Sequence, residues 1–130
     1  MKFALVIKSA PYSSQAASTA FNMASAILAS GHEVLRLFFY EDGVHNASRL
    51  IVSPQDERDL PAAWSELIAE HELDAVVCVA SALKRGVLSD SEAARYERGS
   101  GNLLPAFTIS GLGQLVDACQ AADRVLTFAD

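Results

Sequence analysis

The groups in this sequence that could do chemistry are two cysteines, three histidines and a few polar loops. Cys78 lies in Val76-Val77-Cys78-Val79, and Cys119 in Asp117-Ala118-Cys119-Gln120. The cysteines do not have zinc spacing, and His32, His45 and His71 are far apart, so no metal site is expected. His32 and His71 suit surface or capping roles; His45 falls in a loop and could face a site. The segment Ser9-Ala10-Pro11-Tyr12-Ser13-Ser14 has no glycine and cannot cradle a phosphate as a P-loop does. Gly111-Leu112-Gly113 lacks the third glycine of a dinucleotide fingerprint and suits a tight strand-to-helix turn. No Gly-x-Ser-x-Gly turn is present to present a nucleophilic serine.

The thiols remain. Cys119 shares a helical stripe with Leu112, Leu115 and Val116, and is expected to be a small buried apolar residue. Periodicity alone reads Cys78 in the same way, because its neighbours make a core strand. Its position argues differently. Cys78 falls near the carboxyl end of a strand, where open α/β sheets bind their ligands. The segment that follows, Ala80-Ser81-Ala82-Leu83-Lys84-Arg85-Gly86, can form a helical turn. Thiols at helix N-termini near Lys or Arg carry more thiolate at neutral pH, and thiolate is the form that attacks sulfur.

The elements that must position these groups follow from periodicity. Lys2 to Ser9 is a β-branched and aromatic run that predicts a buried strand. Ala17, Ala20, Phe21, Ala24, Ile27 and Leu28 mark an amphipathic helix ending near Gly31, which suits the left-handed position past a helix end. Glu33 to Phe39 is a second strand, leading into a polar loop, Tyr40 to Ala47. A loop at Ser53 to Asp59 precedes a helix on which Trp64, Leu67 and Ile68 recur, with Asp59 near its start. Asp74 to Ala80 reads as a central strand. Ser89 and Glu92 fit a capping box for a short helix through about Glu97. Phe107 to Ile109 is a brief extended piece, Ser110 can cap a last helix, and Arg124 to Phe128 closes the chain as a strand. Strands alternating with helices predict one three-layer α/β/α domain over residues 1–130, with a mostly parallel sheet of about five strands covered on both faces.

Composition narrows the function further. The chain has 130 residues, 51% of them apolar, enough for a core without disulfides or metals. Lys and Arg number 10 against 16 Asp and Glu, a net charge of −6. Proteins that grip nucleic acid carry basic patches, so direct RNA or DNA binding is not expected. No apolar run approaches the roughly 20 residues of a membrane-spanning helix, and Lys8 and Pro11 interrupt the N-terminal one. A cytoplasmic protein with free thiols is expected.

Three stretches then carry a resemblance. Phe38-Phe39-Tyr40-x-Asp42-Gly43-Val44-x-Asn46, Cys78-Val79-Ala80 followed by Arg85-Gly86, and Ile109-Ser110-Gly111-Leu112-Gly113 occur in the order and spacing of the DsrE/TusD family of sulfur-relay subunits. The chain resembles that family over essentially its whole length. The resemblance implies a three-layer α/β/α subunit whose cysteine, Cys78 here, accepts a persulfide sulfur and passes it on. It implies assembly with TusB-like and TusC-like subunits (DsrH-like and DsrF-like in the other branch) into a heterohexamer with two copies of each. In the TusD branch the donor is TusA-like, the acceptor TusE-like, and the relay ends in 2-thiouridine at the tRNA wobble position. In the DsrE branch the same architecture, with a DsrC-like acceptor, serves sulfur oxidation. The quoted motifs are common to both; tRNA thiolation is taken as the expectation because it is the more widespread bacterial need.

The chemistry so implied is thiol–persulfide exchange, which needs no cofactor or metal because sulfur travels covalently. Arg85 is the candidate for positive charge near the persulfide. Lys84 stands where relatives often have Arg or another polar residue, and could not make bidentate contacts. Tyr40, Asp42 and Asn46 either shape a docking cleft or simply form a turn. Two rival readings are a structural subunit in which Cys78 is merely buried, and a flavodoxin-type domain that binds a small molecule.

Overall fold

The run Glu-Val-Leu-Arg-Leu-Phe-Phe is a short apolar stretch with Val34 and a Phe38-Phe39 pair, bounded by Gly31, and in a computed structural model of residues 1–130 it is strand β2, Glu33–Phe39. Around it lie β1 (Lys2–Ile7), β3 (Ala75–Cys78), β4 (Thr108–Ser110) and β5 (Arg124–Phe128). The five strands form one sheet in the order β4-β3-β2-β1-β5, every neighbouring pair parallel. Five helices connect them: α1 (Ala16–Ala29), α2 (Leu60–His71), α3 (Val79–Lys84), α4 (Asp90–Arg95) and α5 (Gly113–Ala121). The expected α/β class and five-stranded parallel sheet are therefore present.

The helix ends follow local chemistry. Gly31 has φ +82°, the left-handed conformation expected just past α1. Asp59 is itself the N-cap of α2, its carboxylate accepting from the Ala62 N–H at 3.2 Å. Ser89 caps α4 through the Glu92 N–H at 3.3 Å, but the Glu92 carboxylate does not reach back, and its Oε2 is buried without a partner. Only half of the expected capping box is built.

The two faces of the sheet are unequally covered. Leu5, Ile7, Leu37, Phe39, Ala75 and Val77 point to one face, where α1 and α2 complete a core of 20 buried residues. Trp64 sits at its centre, edge-on to Phe21 at 5.1 Å and to Phe39 at 5.3 Å. Phe38, Val76 and Cys78 point to the other face and form a separate cluster of 3 buried residues. Only α5 lies over its middle, contributing Leu115 to that cluster and a buried Ala118. The register slips between Phe3 and Ala4, where β2 carries Leu35 as an extra residue. The slip sets Arg36 beside Ala4, and its guanidinium donates to Asp74 Oδ2 at 2.6 Å and to the Gln114 carbonyl at 2.8 Å, pinning α5 to the sheet.

Three expectations need correction. Cys119 is exposed, not buried. The apolar stripe of α5 is wider than the strip of sheet it covers, so Leu112 (48% exposed) and Val116 (54% exposed) also face outward. Ser110 does not cap α5: it ends β4 in register with Cys78, and α5 begins only after Leu112. The segment after β2 is not an open polar loop but a 3-10 turn, Glu41–Ala47, with Gly43, Val44, Asn46 and Ala47 buried. Gly43 makes that possible, since a Cβ there would lie 1.9 Å from the Ile7 carbonyl oxygen.

Candidate functional site around Cys78

The chain leaves β3 at Cys78 and turns at once into α3. Cys78 is the residue before the first helical position, its backbone still extended at φ −62° and ψ 121°, and its side chain makes no cap hydrogen bond. The strand is therefore shorter than the Asp74–Ala80 run predicted, because Val79 and Ala80 belong to the helix. Cys78 is a free thiol at the carboxyl end of the sheet's second strand from the edge, with Ser110 of β4 as its register partner.

The thiol is buried, at 2% exposure. Phe38 and Val76 flank it within the sheet, and Tyr40 and Leu115 pack over them from the end of β2 and from α5. The Tyr40 and Phe38 rings are 6.1 Å apart. An apolar wrapping of this kind excludes water and stray oxidants from a thiol. It also means that a reacting partner atom reaches Cys78 only when part of this wrapping moves.

The remaining predicted residues separate into two groups. Asp42 and Arg85 meet each other: Arg85 Nε donates to Asp42 Oδ1 at 2.7 Å, and its Nη1 donates to the Ser81 carbonyl at 3.3 Å. Arg85 follows the last residue of α3, about 10 Å of helix rise beyond Cys78. Asn46 faces inward and is fully buried, its amide donating to the Ser9 carbonyl at 3.0 Å and the Gly43 carbonyl at 2.9 Å. It fastens the 3-10 turn to the end of β1. A further stitch joins Ser81 Oγ to the Glu41 N–H at 3.0 Å. Ser81, Phe38 and Leu115 were not singled out as site residues from the sequence. Leu115 belongs to an obvious apolar stripe, but its packing against the cluster of Phe38, Val76 and Cys78 has no local signature.

His45 is half-buried in the 3-10 turn, whereas His32 and His71 are exposed. No group of three His, Cys, Asp or Glu side chains converges to hold a metal ion, and no helix is long and apolar enough to cross a membrane.

A parallel α/β sheet with a free thiol closing an inner strand, wrapped by residues of the next strand and a single helix, defines the class of this chain. A model of the DsrE/DsrF-like family matches residues 1–128, and the chain belongs to that family. It is 56% identical over 128 residues to the sulfurtransferase TusD homolog of Pseudomonas aeruginosa, covering 98% of this chain and 97% of that protein. It is 50% identical over 130 residues, the full length of both chains, to the DsrE protein of Allochromatium vinosum, whose name assigns it provisionally as a sulfurtransferase. The crystal structure of the ychN protein from E. coli superposes with a TM-score of 0.79 over 98% of this chain and 99% of that one, at 22% identity. That last likeness bears on the fold alone.

Proposed function

We propose that this chain is a sulfur-carrier subunit whose Cys78 accepts a persulfide sulfur from a TusA-like donor and hands it to a TusE-like acceptor, in the relay that forms 2-thiouridine at the tRNA wobble position. The observation that carries the reading is a free thiol at the carboxyl end of an inner parallel strand, buried in a small apolar cluster of its own. The names of the two sulfurtransferase relatives support sulfur transfer as the chemistry.

The exchange balances without an external oxidant or reductant. The Cys78 thiolate attacks the outer sulfur of the donor persulfide; that sulfur–sulfur bond breaks as the new one forms, and the donor leaves as a thiolate. Attack by the acceptor's thiolate on the outer sulfur of Cys78 then regenerates the carrier. Tyr40 and Leu115 act as the cover that partner docking displaces. Asp42 and Arg85 hold the 3-10 turn and α3 together around the site, and Asn46 holds the turn to β1. We assign the partners by the same reading: TusB-like and TusC-like subunits complete a heterohexamer in the cytoplasm, and tRNA is bound elsewhere in the pathway. A chain of net charge −6 suits that division of labour.

Intact-mass measurement after incubation with a persulfidated donor tests the central claim. The parent chain gains about 32 Da, one sulfur atom, and Cys78→Ser gains nothing; equal uptake by Cys78→Ser overturns it. Loss of 2-thiouridine from tRNA on deletion of the gene tests the branch. The equally full-length match to the Allochromatium vinosum protein supports a second branch, sulfur oxidation, and neighbouring genes for dissimilatory sulfite reductase would decide for it. The burial of Cys78 supports a third reading, a structural subunit with an inert thiol. Native Cys78 resisting alkylation even in the presence of donor would decide for that one.

A further inference from the structure

Away from Cys78, at the far end of α3, the surface opens into a groove of 580 Å³. Leu50 comes from the segment after the 3-10 turn, Leu83 and Lys84 from the last turn of α3, Leu88 from the chain beyond it, and Tyr96 and Arg98 from the segment after α4. Leu50 is 61% exposed and Tyr96 42% exposed, apolar area that folding leaves in water. The floor is closed to hydrogen bonding by its own contacts. Asn102 donates to the Gly86 carbonyl at 2.9 Å and to Ser48 Oγ at 3.2 Å, and accepts from the Leu88 N–H at 2.8 Å.

The charge of the groove is opposite to that of the chain. None of its nine lining residues is acidic, while Lys84 and Arg98 are cationic, and the Arg95 guanidinium lies 5.4 Å over the Tyr96 ring. None of these three cations is in an ion pair; the pairs in the structure are Lys8–Glu41, Arg36–Asp74 and Arg85–Asp42. Unpaired cations rimming the exposed Leu50 and the half-buried Leu83 and Leu88 complement a ligand with carboxylates flanking an apolar side chain. Nucleic acid fits less well. The aliphatic walls offer one aromatic ring for stacking, where single-strand binders use several, and a chain of net charge −6 repels a polyphosphate along its whole length.

We propose that this groove docks an acidic segment of a protein partner, its carboxylates on Lys84 and Arg98 and an apolar side chain against Leu50, Leu83 and Tyr96. Lys84 ends the helix that Cys78 precedes, about 9 Å of helix rise away. The proposal rests on the sulfur-carrier reading only for what that partner comes to do.

The test titrates the full chain into fluorescein-labelled 12-residue peptides, one panel built from Asp, Glu, Leu and Phe and a matched panel in which Lys and Arg replace the acids. A labelled oligouridine is the third probe, and anisotropy is the readout. Members of the acidic panel bind in a salt-sensitive manner. The charge reversal Lys84→Glu with Arg98→Glu weakens the tightest of them at least about tenfold, the equivalent of about 1.4 kcal/mol. Both side chains are exposed, so the fold tolerates the change; Leu50→Gln, at another exposed position, checks the apolar contact independently. Acidic peptides binding no better than basic ones, undiminished binding by the charge reversal, or preference for oligouridine each overturns the proposal. Sulfur uptake by Cys78 of the parent chain from a small-molecule persulfide, followed by mass, fails or succeeds without the groove and so separates the two readings.

Discussion

Arg85 and Asp42, 43 positions apart in the chain, face each other across 2.7 Å and clamp the end of α3 to the 3-10 turn that follows β2. Both elements border Cys78, one starting from it and the other starting after Tyr40, which packs beside it. Because the Asp42 side chain is 64% exposed and that of Arg85 28% exposed, solvent screens the pair, and it contributes on the order of 0.5–1 kcal/mol. Arg85→Ala is expected to lower urea stability by that amount. If the clamp opens with the site, alkylation of native Cys78 speeds up about two- to fivefold. Arg85→Lys keeps the charge but not the fork that also reaches the Ser81 carbonyl, and falls between the two.

The two thiols should react in a fixed order. Cys119 is exposed and Cys78 is 2% exposed, so iodoacetamide labels Cys119 first and Cys78 only through opening events. Leu115→Ala removes part of the cover over Cys78 without touching the larger core. A loss of about 1 kcal/mol in local packing makes such opening about fivefold more frequent. In a Cys119→Ser background, peptide mapping of the alkylated chain gives the rate directly. An unchanged rate in Leu115→Ala would show that α5 is not the cover.

These local arguments explain which parts of the molecule were legible in the sequence. The strand Glu33–Phe39 was read to the residue, because its short apolar run lies between Gly31 and the polar, glycine-containing segment after Phe39. Cys78 was placed correctly near a strand's carboxyl end and its apolar run already read as core, but the residues that pack around it were not legible. Among them is Leu115, carried over the sheet by the crossing from edge strand β4 to the opposite edge strand β5, which no local pattern encodes. Cys119 was misread because periodicity reports a stripe and not the width of the surface that stripe meets; the sheet under α5 accommodates Leu115 and Ala118 and leaves the flank outside. The 3-10 turn was hidden for a similar reason. Its polar residues suggested solvent, while the fit of Gly43 under the Ile7 carbonyl depends on the end of a strand 36 positions earlier.

Gly43 is accordingly expected to be the least tolerant position near the site. Gly43→Ala would put a methyl 1.9 Å from the Ile7 carbonyl oxygen and within 3.3 Å of the Lys8 nitrogen. Both are backbone atoms at the end of β1 and cannot swing aside as a side chain could. Overpacking of this kind costs about 3 kcal/mol or more. Thermal unfolding checks it. A melting temperature within a few degrees of the parent would mean that the turn detaches from β1 cheaply.

Acid should loosen the chain end in a defined pH range. Asp130 accepts from Ser9 Oγ at 2.5 Å and from Ser14 Oγ at 2.8 Å, tying the segment just past β5 to the loop between β1 and α1. The Ser9 hydrogen bond first, and the Ser14 bond second, favour the carboxylate and hold its pKa below the ordinary 3.8, against a smaller opposing effect of burial. A group whose pKa is lower folded than unfolded stabilises the fold above the unfolded value and loses that contribution as pH falls through the folded one. The tie is therefore intact at neutral pH and weakens below about pH 4. Asp130→Asn removes this ionisation, so its stability should fall less steeply than the parent's between pH 4 and the acid transition, starting from a slightly lower value at pH 7. Urea titrations at pH 7, 4 and 3 measure the difference, and parallel slopes for the two chains would show that Asp130 contributes nothing to acid sensitivity.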